Sequence, residues 1–272
     1  PAQFANAPDG GLYVIDVYRE VIEHPRSLPP EIKQQIDLTS GADRGRLYRV
    51  VPESFVRRPR PDLGSASTAD LVKTLSHRNG WHRDTAARLI YQRQDATAVP
   101  LLEKLAGAGE LPEGRMHALY ALESLGGLGV GTLLAALDDP HPRVREHAVR
   151  LADRRPAEAS LLTRLCRMTD DADDRVRYQL AFSLGEFPSG TDRDAALARL
   201  AVRDGGGTYP KAAIFSSLAS GAGAVLADLA GRAEYVATPA GEAMLESLAA
   251  LIGQQLVAAD VKALEAATSC WP

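Results

Sequence analysis

The chain has 272 residues and only two cysteines, Cys166 and Cys270. Their separation matches neither a metal-ligand spacing nor a CxxCH haem attachment, and a disulfide between them has no support in the pattern. Cys166 falls in "SLLTRLCRM" at helical spacing from Leu162 and Leu165, which reads as a small buried core residue rather than a reactive thiol. A strong excess of one charge is also lacking. Thirty-one Lys and Arg against 35 Asp and Glu leave a net charge of -4 and a pI near 5.9, which gives no electrostatic reason for nucleic acid or an anionic membrane as partner. No initiator Met, signal peptide or membrane-spanning apolar run is present; the most apolar windows, near 125–137 and 212–227, are short and rich in Gly, Ala and Ser. No triad spacing, Gly-rich phosphate loop or paired carboxylates accompany the polar residues Asp16, Tyr18, Arg19, Glu20 and His24 near the N-terminus. Opening at Pro1 just ahead of a strand and closing on "SCWP", the chain is expected to be a piece of a longer protein.

What is present is repetition. With 45% hydrophobic and 24% charged residues the chain has the composition of an ordinary globular protein. The segments "WHRDTAARLI", "EGRMHALYAL", "PRVREHAVRL", "DRVRYQLAFSL" and "YPKAAIFSSL" align on Arg83, Arg115, Arg145, Arg177 and Lys211, separated by 32, 30, 32 and 34 residues. That period fits one helix pair with its turns and is too short for a four-stranded propeller blade. Between them runs a second apolar series: "TADLVKTL", "AVPLLEKLA", "GTLLAALDD", "EASLLTRLCRM", "RDAALARLAV", "GAVLADLAG" and "AADVKALEAA". Two alternating series predict stacked antiparallel pairs. The fold class expected is mainly α, an α-solenoid of about six HEAT-like pairs over 61–272, behind a short N-terminal β-hairpin segment in 1–60.

Punctuation agrees with this reading. Asp138, Asp139 and Pro140 end one helix, and Pro142 suits the first turn of the next, where its missing N–H costs nothing. Thr191 with Asp194 reads as an N-cap oxygen and a carboxylate at the positive end of a helix dipole. The pattern at the turns, Asp139 with Arg145 and Asp171 with Arg177, and more loosely Asp204 with Lys211, resembles the short bacterial form of HEAT repeats with its "DxxxxVR" signature.

Two readings compete for the column Arg83, Arg115, Arg145, Arg177 and Lys211. One is a ladder in which carboxylates of the same or the neighbouring repeat neutralise buried guanidinium groups and fix the stacking. The other is a basic stripe for an anionic ligand, which the acids at each turn would largely cancel. His117 and His147 share a register, with Thr85, Gln179 and Ala213 in the equivalent slots. The column reads as a semi-buried polar row; a metal site would lack a third ligand of the usual kind. The last helix, "AADVKALEAA", has no partner after it and either caps the solenoid or precedes a further module.

Residues 1–60 differ. "GGLYVIDVY" at 10–18 alternates apolar and polar positions, leads into the charged "REVIEH" that reads as a helix start, and is answered by "GRLYRVV" at 45–51. Two strands thus bracket a loop with "PEIKQQIDL" as one or two helical turns. A hairpin of this size needs something to lean on, and Trp81 with His82 is expected to pack the first repeat against it. Residues 9–53, from "DGGLYVIDVYREVIEHP" to "LYRVVPE", together with "LSHRNGWHRDTAARLIYQR", resemble the closing propeller blade and the entry to the helical domain of the large "membrane-bound dehydrogenase" proteins of Planctomycetes and Verrucomicrobia. Gly80, Trp81, Arg83, Asp84, Thr85 and Ala86 occupy matching places. These proteins are related to the soluble glucose and sorbosone dehydrogenases.

The resemblance implies a parent with a propeller before the helical repeats and often a cytochrome c module after them. It implies pyrroloquinoline quinone, Ca²⁺ and haem c for the parent, none of them held by this chain, and a periplasmic or cell-envelope location. The function expected is a non-catalytic scaffold of a multidomain dehydrogenase-like protein, with its own propeller domain or another protein as partner. The alternative is a share in a quinone- or Ca²⁺-dependent sugar or alcohol oxidoreductase site through Asp16, Arg19 and His24, polar groups just beyond a strand end. A hydrogen-bonded loop anchor is the simpler role for such groups.

Overall fold

The computed structural model describes residues 2–22, 24–56, 59 and 61–269. Cys270, and with it any pairing to Cys166, lies outside the described residues. The chain divides into two compact units, Pro1–Leu101 and Leu102–Pro272.

The first unit opens with a three-stranded antiparallel sheet in the order β1 (Gln3–Asn6), β2 (Leu12–Asp16), β3 (Arg46–Val50). The expected hairpin is β2 with β3, Val14 facing Tyr48. β1 is an addition: "QFAN" has no alternation of its own and becomes a strand by pairing with β2, Phe4 opposite Val14. Between β2 and β3 the chain makes a 3₁₀ turn, Pro25–Ser27, and one helical turn, α1 (Pro30–Lys33). The helix start expected in "REVIEH" does not form among its described residues 19–22. Tyr18 takes φ +49°, Asp16 Oδ1 accepts from its N–H, and the described residues from 17 to 22 are irregular.

The first helix pair follows, α2 (Thr68–Thr74) and α3 (Gly80–Arg93). Ser67 caps α2, its Oγ accepting from Asp70 N at 3.1 Å and donating to Asp70 Oδ2 at 2.6 Å, a reciprocal arrangement that satisfies the exposed first turn. Asn79 Oδ1 caps α3 by accepting from Trp81 N. The same side chain donates through Nδ2 to Ala7 O at 2.8 Å, and His82 Nε2 lies 2.9 Å from Pro8 O. These two bonds tie the start of α3 to the turn between β1 and β2.

The remaining helices are α4 (Ala98–Ala108), α5 (Pro112–Ser124), α6 (Val130–Ala136), α7 (Pro142–Ala152), α8 (Ala159–Cys166), α9 (Asp174–Ser183), α10 (Thr191–Asp204), α11 (Thr208–Ser216), α12 (Ala222–Ala230), the single turn α13 (Ala233–Val236), α14 (Pro239–Gln255) and α15 (Ala258–Ser269). In the second unit α6, α8, α10 and α12 stack in one layer and α5, α7, α9 and α11 in the other. Leu133, Leu161, Leu165, Leu197 and Leu200 of the first layer and Val144, Ala148, Val176, Leu180 and Ile214 of the second are buried. This is the continuous core that single pairs cannot form alone.

Pro142 opens α7 as expected, with His141 Nδ1 accepting from Arg143 N, and Asp173 caps α9 through Arg175 N and Val176 N. The cap of α10 differs from expectation. Its N-cap is Gly190 without a side-chain bond, and Thr191 is the first helical residue. Asp194 does stand in the first turn, at the positive end of the α10 dipole, with its carboxylate buried against Arg193 and Ser189. α14 joins neither sequence series. It carries no basic residue in the repeat register, yet it is the second helix of the sixth pair, buried through Met244, Leu245, Leu248 and Ile252.

Candidate functional site

The repeated basic column is built one turn at a time. Each arginine lies in the first turn or two of a second-layer helix, where its side chain reaches back over the preceding turn. Arg115 donates from Nε and Nη2 to both oxygens of Asp139, at 2.7 and 2.8 Å, and from Nη1 to Gly109 O at 2.7 Å. Arg145 repeats this with Asp171, at 2.8 and 2.8 Å, and with Asp139 O at 2.9 Å. Arg177 does so with Asp204, at 2.8 and 2.8 Å, and with Asp171 O at 2.7 Å. Each guanidinium therefore grips the carboxylate of the following repeat and the backbone of its own.

Asp139 and Asp171 are thus shared, side chain to one arginine and carbonyl to the next. Burial opposes ionisation of both carboxyls, but the fork from Arg115 or Arg145 and a backbone N–H, from His141 or Asp173, outweigh it and hold them below the usual carboxylate range. The arginines are raised in turn, chiefly by these same bonds.

The ends of the column deviate. Lys211 meets no Asp; its Nζ lies 2.8 Å from Ser247 Oγ and 3.3 Å from Ala243 O on α14. In the first unit Arg83 donates to the carbonyls of His77 and Arg78, and its Nε is buried without a hydrogen-bond partner. Trp81 stands beside it in the first turn of α3, edge-on to His82 with ring centroids 5.2 Å apart.

The histidine row is a polar seam. His147 Nδ1 lies 2.9 Å from the Tyr120 hydroxyl, with the rings edge to face. Burial pushes the Tyr120 hydroxyl up and the His147 imidazolium down, so the ring is neutral near pH 7. Gln179, in the next slot, accepts from Arg150 Nε and Nη2 at 3.1 and 2.9 Å. His117 is half-buried. Among the described residues no three His, Cys, Asp or Glu converge on a point where they would hold a metal ion.

Sequence reasoning missed one polar centre. Arg193, 2% exposed, donates from Nε to Leu184 O at 3.0 Å, from Nη1 to Asp194 Oδ1 at 2.7 Å and to Ser220 O at 3.0 Å, and from Nη2 to Ser217 O. Ser217 Oγ in turn donates to Ala181 O at 2.6 Å. From α10 the centre ties the turn after α9 to the turn after α11. The only sign of it in sequence is an Arg-Asp pair at the start of an Ala- and Leu-rich helix. Cys166 is buried, and burial raises its thiol to about 11, so it is protonated and unreactive at neutral pH.

The N-terminal polar cluster is partly assembled. Asp16, Tyr18, Arg19, Glu20, Asp37, Ser40 and Arg44 are among the residues lining a polar cleft of 710 Å³ in the first unit. Gly41, at φ +76°, makes the cleft wall possible, since a Cβ there would sit 2.0 Å from Tyr18 O. His24 is not part of the lining. Its Nδ1 accepts from Arg26 N and caps the 3₁₀ turn.

Stacked helix pairs, pinned at successive turns by an Arg–Asp fork, define a helical-repeat solenoid. The comparisons with known proteins agree over part of the chain. A family of HEAT repeats matches residues 130–219, and a family described as "Domain of unknown function (DUF7133)" matches residues 1–54. The chain thus contains a HEAT-like repeat region. Among solved structures, the designed armadillo repeat protein YIII(Dq)4CqI is 18% identical, with a TM-score of 0.41 over 67% of this chain and 100% of its own. A second, YIII(Dq.V1)4CPAF in complex with the peptide (KR)4, is 18% identical, with a TM-score of 0.40 over 76% of this chain and 100% of its own. No curated protein matches the chain.

Proposed function

We propose that this chain is a non-catalytic, protein-binding scaffold from a larger dehydrogenase-like protein, with its N-terminal sheet the last part of a β-propeller. The observation that carries the scaffold role is the consumption of the repeated charges. Arg115, Arg145 and Arg177 are spent on Asp139, Asp171 and Asp204 at the turns, and the second-layer helices are left with exposed aromatic side chains such as Tyr178 and Phe182. The propeller reading is supported by the sheet. Phe4, Leu12, Tyr48 and Val50 share one face by register and are 38–58% exposed, an apolar surface of the kind that a neighbouring sheet covers.

The scaffold role is tested by placing a photo-crosslinking residue at Phe182 on α9 or at Thr163 on α8 in the protein expressed in its native host. A discrete cross-linked protein from Phe182 and none from Thr163 is expected. No product from either position overturns the reading.

A second reading, participation in a quinone- or Ca²⁺-dependent oxidoreductase, is favoured by the polar cleft around Asp16 and Arg19. The residues present fit these groups poorly. Asp16, Glu20, Asp37 and Asp43 outnumber Arg19 and Arg44 in the cleft and repel a tricarboxylate quinone, and the described carboxylates form no ion-binding set. Titration with pyrroloquinoline quinone and Ca²⁺, followed by absorbance and melting temperature, is expected to give a flat response. A saturable shift lost in Asp16→Ala would favour the second reading.

A further inference from the structure

We propose that the second-layer face of α5, α7 and α9 binds an extended protein segment in which one acidic residue is flanked, three positions away on either side, by apolar residues. The proposal rests on the scaffold reading and specifies its partner. Five positions beyond each ladder arginine stand Tyr120, Arg150 and Phe182, an aromatic–cation–aromatic row across three consecutive helices. Their lateral order is fixed by the contact of Tyr120 with His147 on α7 and by that of Arg150 with Gln179 on α9.

Arg150 differs from the ladder arginines in what it binds. They are forked onto carboxylates, whereas the fork of Arg150 is held by the neutral Gln179 Oε1; Asp153, one turn on, acts on it only through space. Three of the neighbouring acids are already engaged. Glu146 and Asp173 are bound by Arg143, and Glu123 is bound by Arg155 at 2.6 Å and by Arg154 at 3.3 Å. Arg150 is exposed, Phe182 is 37% exposed, and Tyr178 packs edge-on to Phe182 at 5.1 Å, which forms one apolar wall beside the cation. Tyr120 with its neutral His147 forms the other.

Spacing sets the partner's pattern. Packed helices lie about 8–10 Å apart and an extended chain advances about 3.3 Å per residue, so a strand crossing the row meets one helix about every three residues. A carboxylate at the middle crossing takes the fork of Arg150, and apolar side chains at the outer crossings cover Tyr120 and Phe182.

The probes are three fluorescein-labelled peptides, GLSSESSLG, GLSSKSSLG and GSSSESSSG, read by fluorescence anisotropy against the full chain. GLSSESSLG is expected to bind at least tenfold more tightly than either of the others, and the preference for Glu over Lys to reverse in Arg150→Glu. Arg150→Gln, which keeps a side chain able to contact Gln179, is expected to lose the Glu preference without reversing it. Circular dichroism of both variants checks that they fold. Equal binding of the Glu and Lys peptides, an Arg150→Glu variant that keeps the Glu preference, or no binding of GLSSESSLG overturns the proposal. Tight binding of the Lys peptide that is lost in Phe182→Ser would reject the acidic partner and leave the scaffold standing. The scaffold itself is judged separately by the cross-linking at Phe182.

Discussion

Asp153 closes α7 with one carboxylate oxygen buried and without a hydrogen-bond partner. Burial raises its carboxyl from 3.8 to about 6, against a partial offset from the Ser183 hydroxyl. Folded protein holds this proton up to about pH 6, while unfolded chain releases it near pH 4. The associated stability is therefore full below about pH 4 and is lost as pH rises through about 6. The displacement corresponds to roughly 3 kcal/mol in a fully dry site, and solvent access reduces that to about 1 kcal/mol. Asp153→Asn is expected to raise Tm by about 2–4 °C at pH 7.5 and to leave it unchanged at pH 3.5, as scanning calorimetry will show. Gly221 is the second sensitive residue. It sits at φ +84°, and a Cβ there would lie 2.5 Å from Ser189 Oγ and 2.8 Å from the Asp194 carboxylate. Gly221→Ala is expected to cost about 1–3 kcal/mol in denaturant unfolding by prising Asp194 from Arg193.

At the scale of elements, the Arg–Asp forks and the close approach of α12 to α15 decide how repeats join. The Arg145–Asp171 side chains are 16% and 8% exposed, whereas those of Arg203–Asp170 are 40% and 85% exposed. Arg145→Ala leaves Asp171 buried without its fork and is expected to cost about 3–5 kcal/mol. Arg203→Ala is expected to cost under about 1 kcal/mol. Urea unfolding of the two variants side by side checks the contrast, and equal losses would mean that the forks do not fix the stacking. Gly223 is the other device, because a Cβ there would lie 2.6 Å from Asp260 Cα. Its N–H donates to Asp260 Oδ1 at 3.0 Å, so a carboxylate on α15 serves the positive end of α12. The helix series was legible from its 30–34-residue period. α14 was not, because its slot in the basic column holds Ala243, and its place is shown by Lys211 reaching Ser247 and by the burial of Met244, Leu245, Leu248 and Ile252.

For the whole molecule, the two compact units make a prediction about independence. A fragment of residues 96–272, which keeps α4 whole, is expected to remain helical by circular dichroism and to unfold in one cooperative transition. Removing residues 1–60 alone takes away the carbonyls of Ala7 and Pro8 that Asn79 and His82 bind. It is expected to increase hydrogen exchange in α2 and α3 while leaving α6–α12 protected. Loss of protection throughout α6–α12 would show that the N-terminal segment belongs to the solenoid core, and that a boundary after residue 60 is misplaced.

By itself, the sequence determined the helical repeat, its period, the strands β2 and β3, and the residue types at the turns. These follow from local periodicity and from backbone preferences acting over a few residues. Tertiary structure decided what no local rule contains. It made β1 a strand through its partner, kept residues 19–22 out of a helix by turning the chain at Tyr18, and gave the cap of α10 to Gly190 rather than Thr191. It also decided which carboxylate each arginine holds. Arg145 and Asp139 are six residues apart, yet the side chain of Arg145 binds Asp171 and leaves Asp139 only its carbonyl. The reason is geometric: a guanidinium on a second-layer helix lies over its own turn and against the next repeat at once, and the distance to that next carboxylate is set by stacking rather than by sequence.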